Sequence, residues 1–289
     1  MGLALGLAGP PSHLRAQGLP FHTETALTTA FEQRAVRAFT LYSRRDSASA
    51  LVTPLVLLPY APHPRVTTKV ALPLVRKRLA SPGAGGGTRY SEVGIGDLSV
   101  AAKWAFLVRD RAGGTTRLAL GADVSIPTGS TSRKFEDGTV APRPLQPGSG
   151  AFGAGVTAIG TLIRGAWGVS ADVGRRWNAE GEGFRFGSRT RYDVAIGLRR
   201  PAQVETIRTR TWQLYLEWNG AVSGRDVSDG VKVSSSGGHV AFLSPGIQWV
   251  PVPRLLVETS LQVPVVQRLN GSQPEFGLGP ALGLRYLFF

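Results

Sequence analysis

Cysteine is absent from this chain, which excludes a disulfide framework, a thiolate metal site and a cysteine nucleophile. Long apolar runs are absent too. The longest, Ala50 to Tyr60, is of strand length and is broken by Thr53, Pro54 and Pro59, whereas a membrane helix needs about 20 apolar residues. Charge is sparse, at 18% of residues, where a soluble domain carries about a quarter. Only four histidines occur and no two have helical metal-ligand spacing, so neither a metal site nor a cofactor is implied.

Glycine and proline are plentiful instead, at 37 and 20 residues, and argue against long helices. The hydrophobic fraction is an ordinary 42%. Low charge, ordinary hydropathy and many glycines suit a wall whose residues alternate between lipid and water. The net charge of +14 is spread along the chain without a Lys/Arg-rich run or a nucleic-acid-binding motif. Anionic outer-membrane lipid and lipopolysaccharide are therefore the expected partners, and nucleic acid is not.

Period two dominates the sequence. In Thr211–Gly220, Trp212, Leu214, Leu216 and Trp218 share one face, while Gln213, Tyr215, Glu217 and Asn219 share the other. In Arg189–Leu198, Tyr192, Val194 and Ile196 oppose Arg191, Asp193 and Ala195. A helix, with period 3.6, cannot sort residues this way. The same reading gives strands at 34–45, 50–60, 64–79, 92–108, 114–128, 150–163, 165–177, 184–200, 208–222, 236–250, 253–267 and 277–289. Short and long joins mostly alternate between them; the join at 46–49 breaks the rule by being short. The fold class expected is all-β: a transmembrane antiparallel up-and-down barrel of about twelve strands spanning 34–289, in the outer membrane of a Gram-negative-type bacterium, with both termini periplasmic. Residues 18–33 read as a periplasmic lead-in. Residues 1–17 read either as a signal-peptide remnant ending near Ala16 or as a disordered leader.

Trp167 and Trp177 lie ten residues apart on one face, which in a tilted strand is about 25 Å along the membrane normal, the height of a lipid-facing band. With Trp104, Trp212, Trp218, Trp249 and Tyr286 they would form its aromatic girdles. The terminal Tyr286-Leu287-Phe288-Phe289 resembles the signal read by the barrel insertion machinery, with Phe288 and Phe289 carrying it and the alternation out of step by one residue.

The opposite face assigns Lys69, Asp97, Lys103, Arg117, Asp123, Asp172, Arg176, Arg189, Arg191, Asp193, Glu217 and Glu258 to the lumen. Acids and bases are equal in number, so the lumen is no one-sign filter. The set is either an ion-pair ladder filling a narrow barrel or the lining of a solute path. Gly168, Gly174, Gly197 and Gly246 on this face either leave room for a solute or relieve curvature strain. The long join Ser130–Gly148 either folds into the mouth or lies in solvent, with solvent favoured, and Gly83–Gly87 lacks the Lys-Ser or Lys-Thr of a phosphate cradle. His239 with Ser235 or Ser236 is the one crude Ser/His pairing, and no catalytic residue and no enzyme are expected.

Three segments resemble a family of transporter-like outer-membrane proteins associated with the meta-cleavage pathway of phenol degradation. They are Pro20-Phe21-His22-Thr23-Glu24-Thr25-Ala26, Gly94-Ile95-Gly96-Asp97-Leu98 running into Ala102-Lys103-Trp104, and Ala119-Leu120-Gly121-Ala122 leading to Ile126-Pro127-Thr128-Gly129. The family's lead-in carries an acidic pair where this chain has only Glu24. The resemblance covers most of the chain after about residue 20. It implies a barrel that passes small, often aromatic or hydrophobic, molecules; a plugged structural or interaction barrel is the alternative.

Overall fold

The computed structural model describes residues 20–28, 34–46, 48–80, 88–200, 211–252 and 255–288. Residues 1–17, the glycine run 83–87 and Phe289 lie outside them, as does the side chain of Phe288. Twelve strands form one antiparallel sheet. They are β1 (Arg34–Arg45), β2 (Ala48–His63), β3 (Val66–Ala80), β4 in two pieces (Thr88–Ile95 and Leu98–Arg111), β5 (Gly114–Ile126) and β6 (Gly153–Arg164). The second half comprises β7 (Trp167–Asn178), β8 (Arg189–Arg200), β9 (Thr211–Ser223), β10 (Gly238–Val252), β11 (Leu255–Leu269) and β12 (Gly279–Phe288). Each strand pairs with its sequence neighbours, and β1 pairs with β12 from Arg34↔Phe288 to Leu41↔Ala281. The sheet thus closes on itself and leaves no edge, the only way a sheet can satisfy its backbone in hydrocarbon.

One end of the barrel carries the start of β1, the end of β12 and short turns such as 112–113 and 165–166; we call it the turn end. The opposite, loop end carries 127–152, 179–188, 224–237 and 270–278, together with the short join 46–47. At the turn end Gly113 and Gly165 take positive φ with nothing near the place of a Cβ, so they serve chain reversal and not packing.

Most strand ends fall within three residues of expectation, and two strands depart further. The strand expected at 92–108 is interrupted at Gly96-Asp97. Its partner β3 presents Pro73 there, which has no N–H for the ladder; Gly96 N–H donates to Pro73 O at 2.8 Å, and Asp97 turns away to other work. The strand expected at 184–200 begins at Arg189, because Glu182 and Gly183 take positive φ and fold the chain back. Phe184–Arg185 instead join Val227–Ser228 and Val231–Lys232 in a small sheet above the loop end.

The barrel is turned outward relative to a soluble fold. Its outer face exposes Leu58, Val100, Leu120, Val156, Val173, Ile196, Leu214 and Leu282, from strands all round the wall. Its buried residues are mainly polar or small and line the inside. A belt of this kind is stable only against lipid. Of the girdle aromatics, Trp167, Trp212, Trp249 and Tyr286 lie within four residues of turn-end strand termini, and Trp177 lies beside a loop-end terminus. Trp212 and Trp249 stack across β9 and β10 with centroids 5.4 Å apart. Trp104 and Trp218 face outward from strand interiors; Trp218 pairs with Val194 in the wall and is no rim residue.

Val194 is 46% exposed on this belt, and Val231, 70% exposed, sits on the small sheet beyond it. Val194→Arg is expected to cost about 2–4 kcal/mol in lipid-based unfolding, whereas Val231→Arg should change stability by less than about 0.5 kcal/mol. Equal losses would place the belt somewhere other than in lipid.

Candidate functional site

The lumen is occupied by the chain itself. Residues 20–28, expected as a periplasmic lead-in, run inside the barrel and cross from the β9 wall to the turn between β2 and β3, where Thr28 Oγ1 donates to Pro64 O at 2.8 Å. The segment is held chiefly through its backbone. Glu217, 0% exposed, accepts the N–H of Phe21 at 2.9 Å, of His22 at 3.1 Å and of Thr23 at 2.7 Å, together with the Thr23 hydroxyl at 2.7 Å. Consecutive amides converging on one anion form a nest, here with a wall carboxylate as the anion. Further along, Glu24 N–H donates to Asp172 at 2.7 Å and Ala26 N–H to Thr161 at 2.9 Å. Lys103 donates to the carbonyls of Thr25 and Leu27, and Lys69 pairs with Glu24 at 3.5 Å.

Two apolar contacts complete the fit. Ala26 packs on Ala105, Ala119 and Ile159; Phe21 packs on Tyr215, Ala281, Phe39 and Leu41. The Arg37 guanidinium lies 5.4 Å from the Phe21 ring centroid and 5.2 Å from that of Phe39.

The sequence-assigned luminal residues take definite places. Asp172 and Asp193 are register partners on β7 and β8, so two carboxylates stand side by side. Arg191 bridges them at 3.0 and 2.9 Å, and Asn219 donates to Asp193 at 3.2 Å. Glu258 pairs with Arg37 at 2.8 Å and accepts from Gln248 at 2.9 Å. Asp123 pairs with Arg176, and Arg117 with Asp110 at 3.1 Å. Arg189 is the register partner of Arg176 on the inner face. Asp97 is different: it sits at the break in β4 and accepts the N–H of Gly129 at 3.0 Å and of Ser149 at 2.8 Å. The structure adds Arg37, Tyr215, Asn219 and Gln248, all legible on the inward alternation but outside the set drawn from it.

Three of the luminal glycines lie under neighbouring side chains. A Cβ at Gly246 would meet the Tyr215 ring at 2.2 Å, one at Gly174 the Thr157 hydroxyl at 2.7 Å and one at Gly197 the Gln213 amide at 3.0 Å. Each seats a neighbour's side chain, and Gly168 is the register partner of Gly197.

At the loop end the join 130–148, for which solvent was favoured over the mouth, is tied with its flanks to the inner wall. Gln146 is buried and bonds Arg133 and Ala141, Lys77 donates to Pro144 O and Gln146 O, and Tyr90 donates to Leu145 O. The docking has a steric basis: Pro147 fills the space over Gly94 that a side chain would take. Outside the wall Arg143 bonds Glu182 at 2.8 Å and holds its carboxyl below the usual range.

His239 and Ser236 bond to other partners. His239 Nε2 lies 2.6 Å from the Tyr192 hydroxyl, while Ser236 Oγ bonds Val233 O and Asp226 N–H, each at 2.8 Å.

A closed antiparallel barrel with an apolar belt and a polar, internally bonded lumen is an integral membrane β-barrel of the outer-membrane type. Residues 63–282 match the family described as "Putative MetA-pathway of phenol degradation", and the chain belongs to that family. An outer membrane channel from Pseudomonas putida F1 superposes with a TM-score of 0.70 at 13% identity, covering 94% of this chain and 100% of that one. The β domain of a Bordetella autotransporter gives 0.48 at 12% identity, covering 89% and 99%. LpxR from Salmonella typhimurium gives 0.43 at 10% identity, covering 88% and 100%. No curated protein matches the sequence.

Because the chain has no cysteine, one can be placed as a clean reporter. Thr25 is 3% exposed and its hydroxyl is unbonded, so Thr25→Cys fits its site. Maleimide labelling of this cysteine should be slow in the otherwise unchanged barrel. Adding Glu217→Gln removes the charge under three amides, and labelling should quicken by about tenfold or more, the equivalent of about 1.5–3 kcal/mol of charge-assisted bonding. Unchanged labelling would show that Glu217 does not hold the segment.

Proposed function

We propose that this protein is a passive outer-membrane channel for small solutes, aromatic or hydrophobic ones in particular, whose lumen is closed here by its own lead-in. The observation that carries the reading is how the segment is held. Its bonds to the wall run mainly from backbone groups, and of its two large apolar side chains, Phe21 and Leu27, Phe21 packs into an apolar cluster of the wall. Such a segment can withdraw without unfolding the wall, since no strand pairing of the barrel includes it.

Withdrawal of Phe21 would uncover a recess formed by Phe39, Leu41, Tyr215 and Ala281, with the Arg37 guanidinium beside it. An aromatic ring bearing a polar substituent suits those surroundings: apolar contact for the ring and a cation near its face. The family's description in phenol degradation points the same way, and an outer membrane channel shares the fold. Both termini are placed in the periplasm on this reading, because short turns lie on that side of outer-membrane barrels. The second reading, a plugged wall or docking element, draws on the same occupied lumen.

Single-channel conductance in planar bilayers separates them. Deletion of residues 20–28 from the full chain, checked for folding by heat-modifiable mobility, should raise the step size or open probability above that of the parent. Silence from both folded proteins would favour the plugged reading. Equal conductance from both would show that the lead-in does not close the path.

A further inference from the structure

Charge is sorted by sign across the wall. All seven carboxylates on the described barrel strands, Glu92, Asp110, Asp123, Asp172, Asp193, Glu217 and Glu258, lie on the inner face by register and by their contacts. The outer face of the described strands carries only cations. At the loop end these are Arg44, Arg76, Arg78, Arg175 and Arg268. Arg76 follows Leu74 two residues on along the same face, and Arg175 follows Val173, so both sit where the apolar belt stops. Aromatic residues are concentrated at the turn end, with Trp177 as the one girdle tryptophan at the loop-end rim.

We infer that the loop-end outer rim over β1–β3 is a binding surface for the phosphate groups of lipopolysaccharide. Arg44, Ser49 and Arg78 form one outward row across three strands, and Leu51 and Arg76 form the next. At a strand spacing of about 4.8 Å the α-carbons of Arg44 and Arg78 stand about 10 Å apart. Three long guanidinium side chains can therefore converge on neighbouring phosphates, with planar forks that bind phosphate oxygens in pairs. The acyl chains of the same lipid would lie along the apolar belt beneath. The surface centres on β3. Arg44 itself lines a groove of about 450 Å³, together with the carboxylates of Asp46 and Glu275 and with Tyr42, Leu278 and Pro280. Lipopolysaccharide is the source chosen because the loop end faces outward, which rests on the orientation proposed above.

The test uses the full chain folded in dodecyl maltoside and native mass spectrometry with purified lipopolysaccharide, the same lipid dephosphorylated, and phosphatidylglycerol. Arg44→Gln/Arg76→Gln/Arg78→Gln should weaken lipopolysaccharide binding by about tenfold or more. Arg109→Gln/Arg111→Gln/Arg164→Gln, at the outward turn-end rim, should leave it within about twofold. Dephosphorylated lipid should bind the parent as weakly as intact lipid binds the loop-end variant. Unchanged affinity in that variant, or an equal loss in the turn-end variant, overturns the site. Phosphatidylglycerol bound as tightly as lipopolysaccharide overturns the choice of lipid. Whole-cell labelling of Val231→Cys reports the orientation by itself, and none of these readouts depends on conductance.

Discussion

A backbone in hydrocarbon has no water to bond, and this constraint shapes every level of the molecule. It forces the sheet to close, which the pairing of β1 with β12 accomplishes. Closure fixes two faces with period two, so each strand residue belongs either to lipid or to the lumen. Apolar side chains then go outward, and the carboxylates have only the inside. A narrow lumen lined with charge creates the next problem, because a buried charge needs partners. The wall supplies some, as in Arg37–Glu258 and Arg176–Asp123. Around Asp172, Asp193 and Glu217 it supplies too few, and the lead-in provides donors that the wall lacks.

This division makes the lead-in well bound without making it part of the wall. Its bonds compensate wall charges one by one, so the contacts are strong locally. They add no ladder to the sheet. The segment 127–149 follows the same logic at the loop end, where Lys77 and Asp97 reach from the wall to its backbone. Polar wall groups thus recruit chain from both ends into the lumen.

The wall was legible in the sequence because alternation writes it directly. Trp212 through Asn219 and Thr190 through Leu198 could be sorted by face without any coordinates. Strand ends failed where a local rule intervened: Pro73 broke β4, and the fold-back at Glu182 and Gly183 shortened β8. The place of the lead-in inside the lumen was not legible. The segment has no periodicity, and it binds through amides, which every residue carries. A signal did exist in the register, since Asp172 opposite Asp193 with Glu217 on the next strand is a surplus of acceptors calling for donors. The docking of 127–149 was hidden for a similar reason: it depends on the bare glycine surface at Gly94, which reads in sequence as simple flexibility.

The central claim is that wall carboxylates hold the lead-in by its amides, and hydrogen–deuterium exchange at those amides tests it most directly. In the folded, membrane-inserted protein the N–H groups of Phe21, Thr23, Glu24 and Ala26 should be protected by about a hundredfold or more relative to an unstructured peptide of the same sequence. Exchange at the peptide rate would contradict the account, because amides bonded inside a closed barrel cannot meet water that freely.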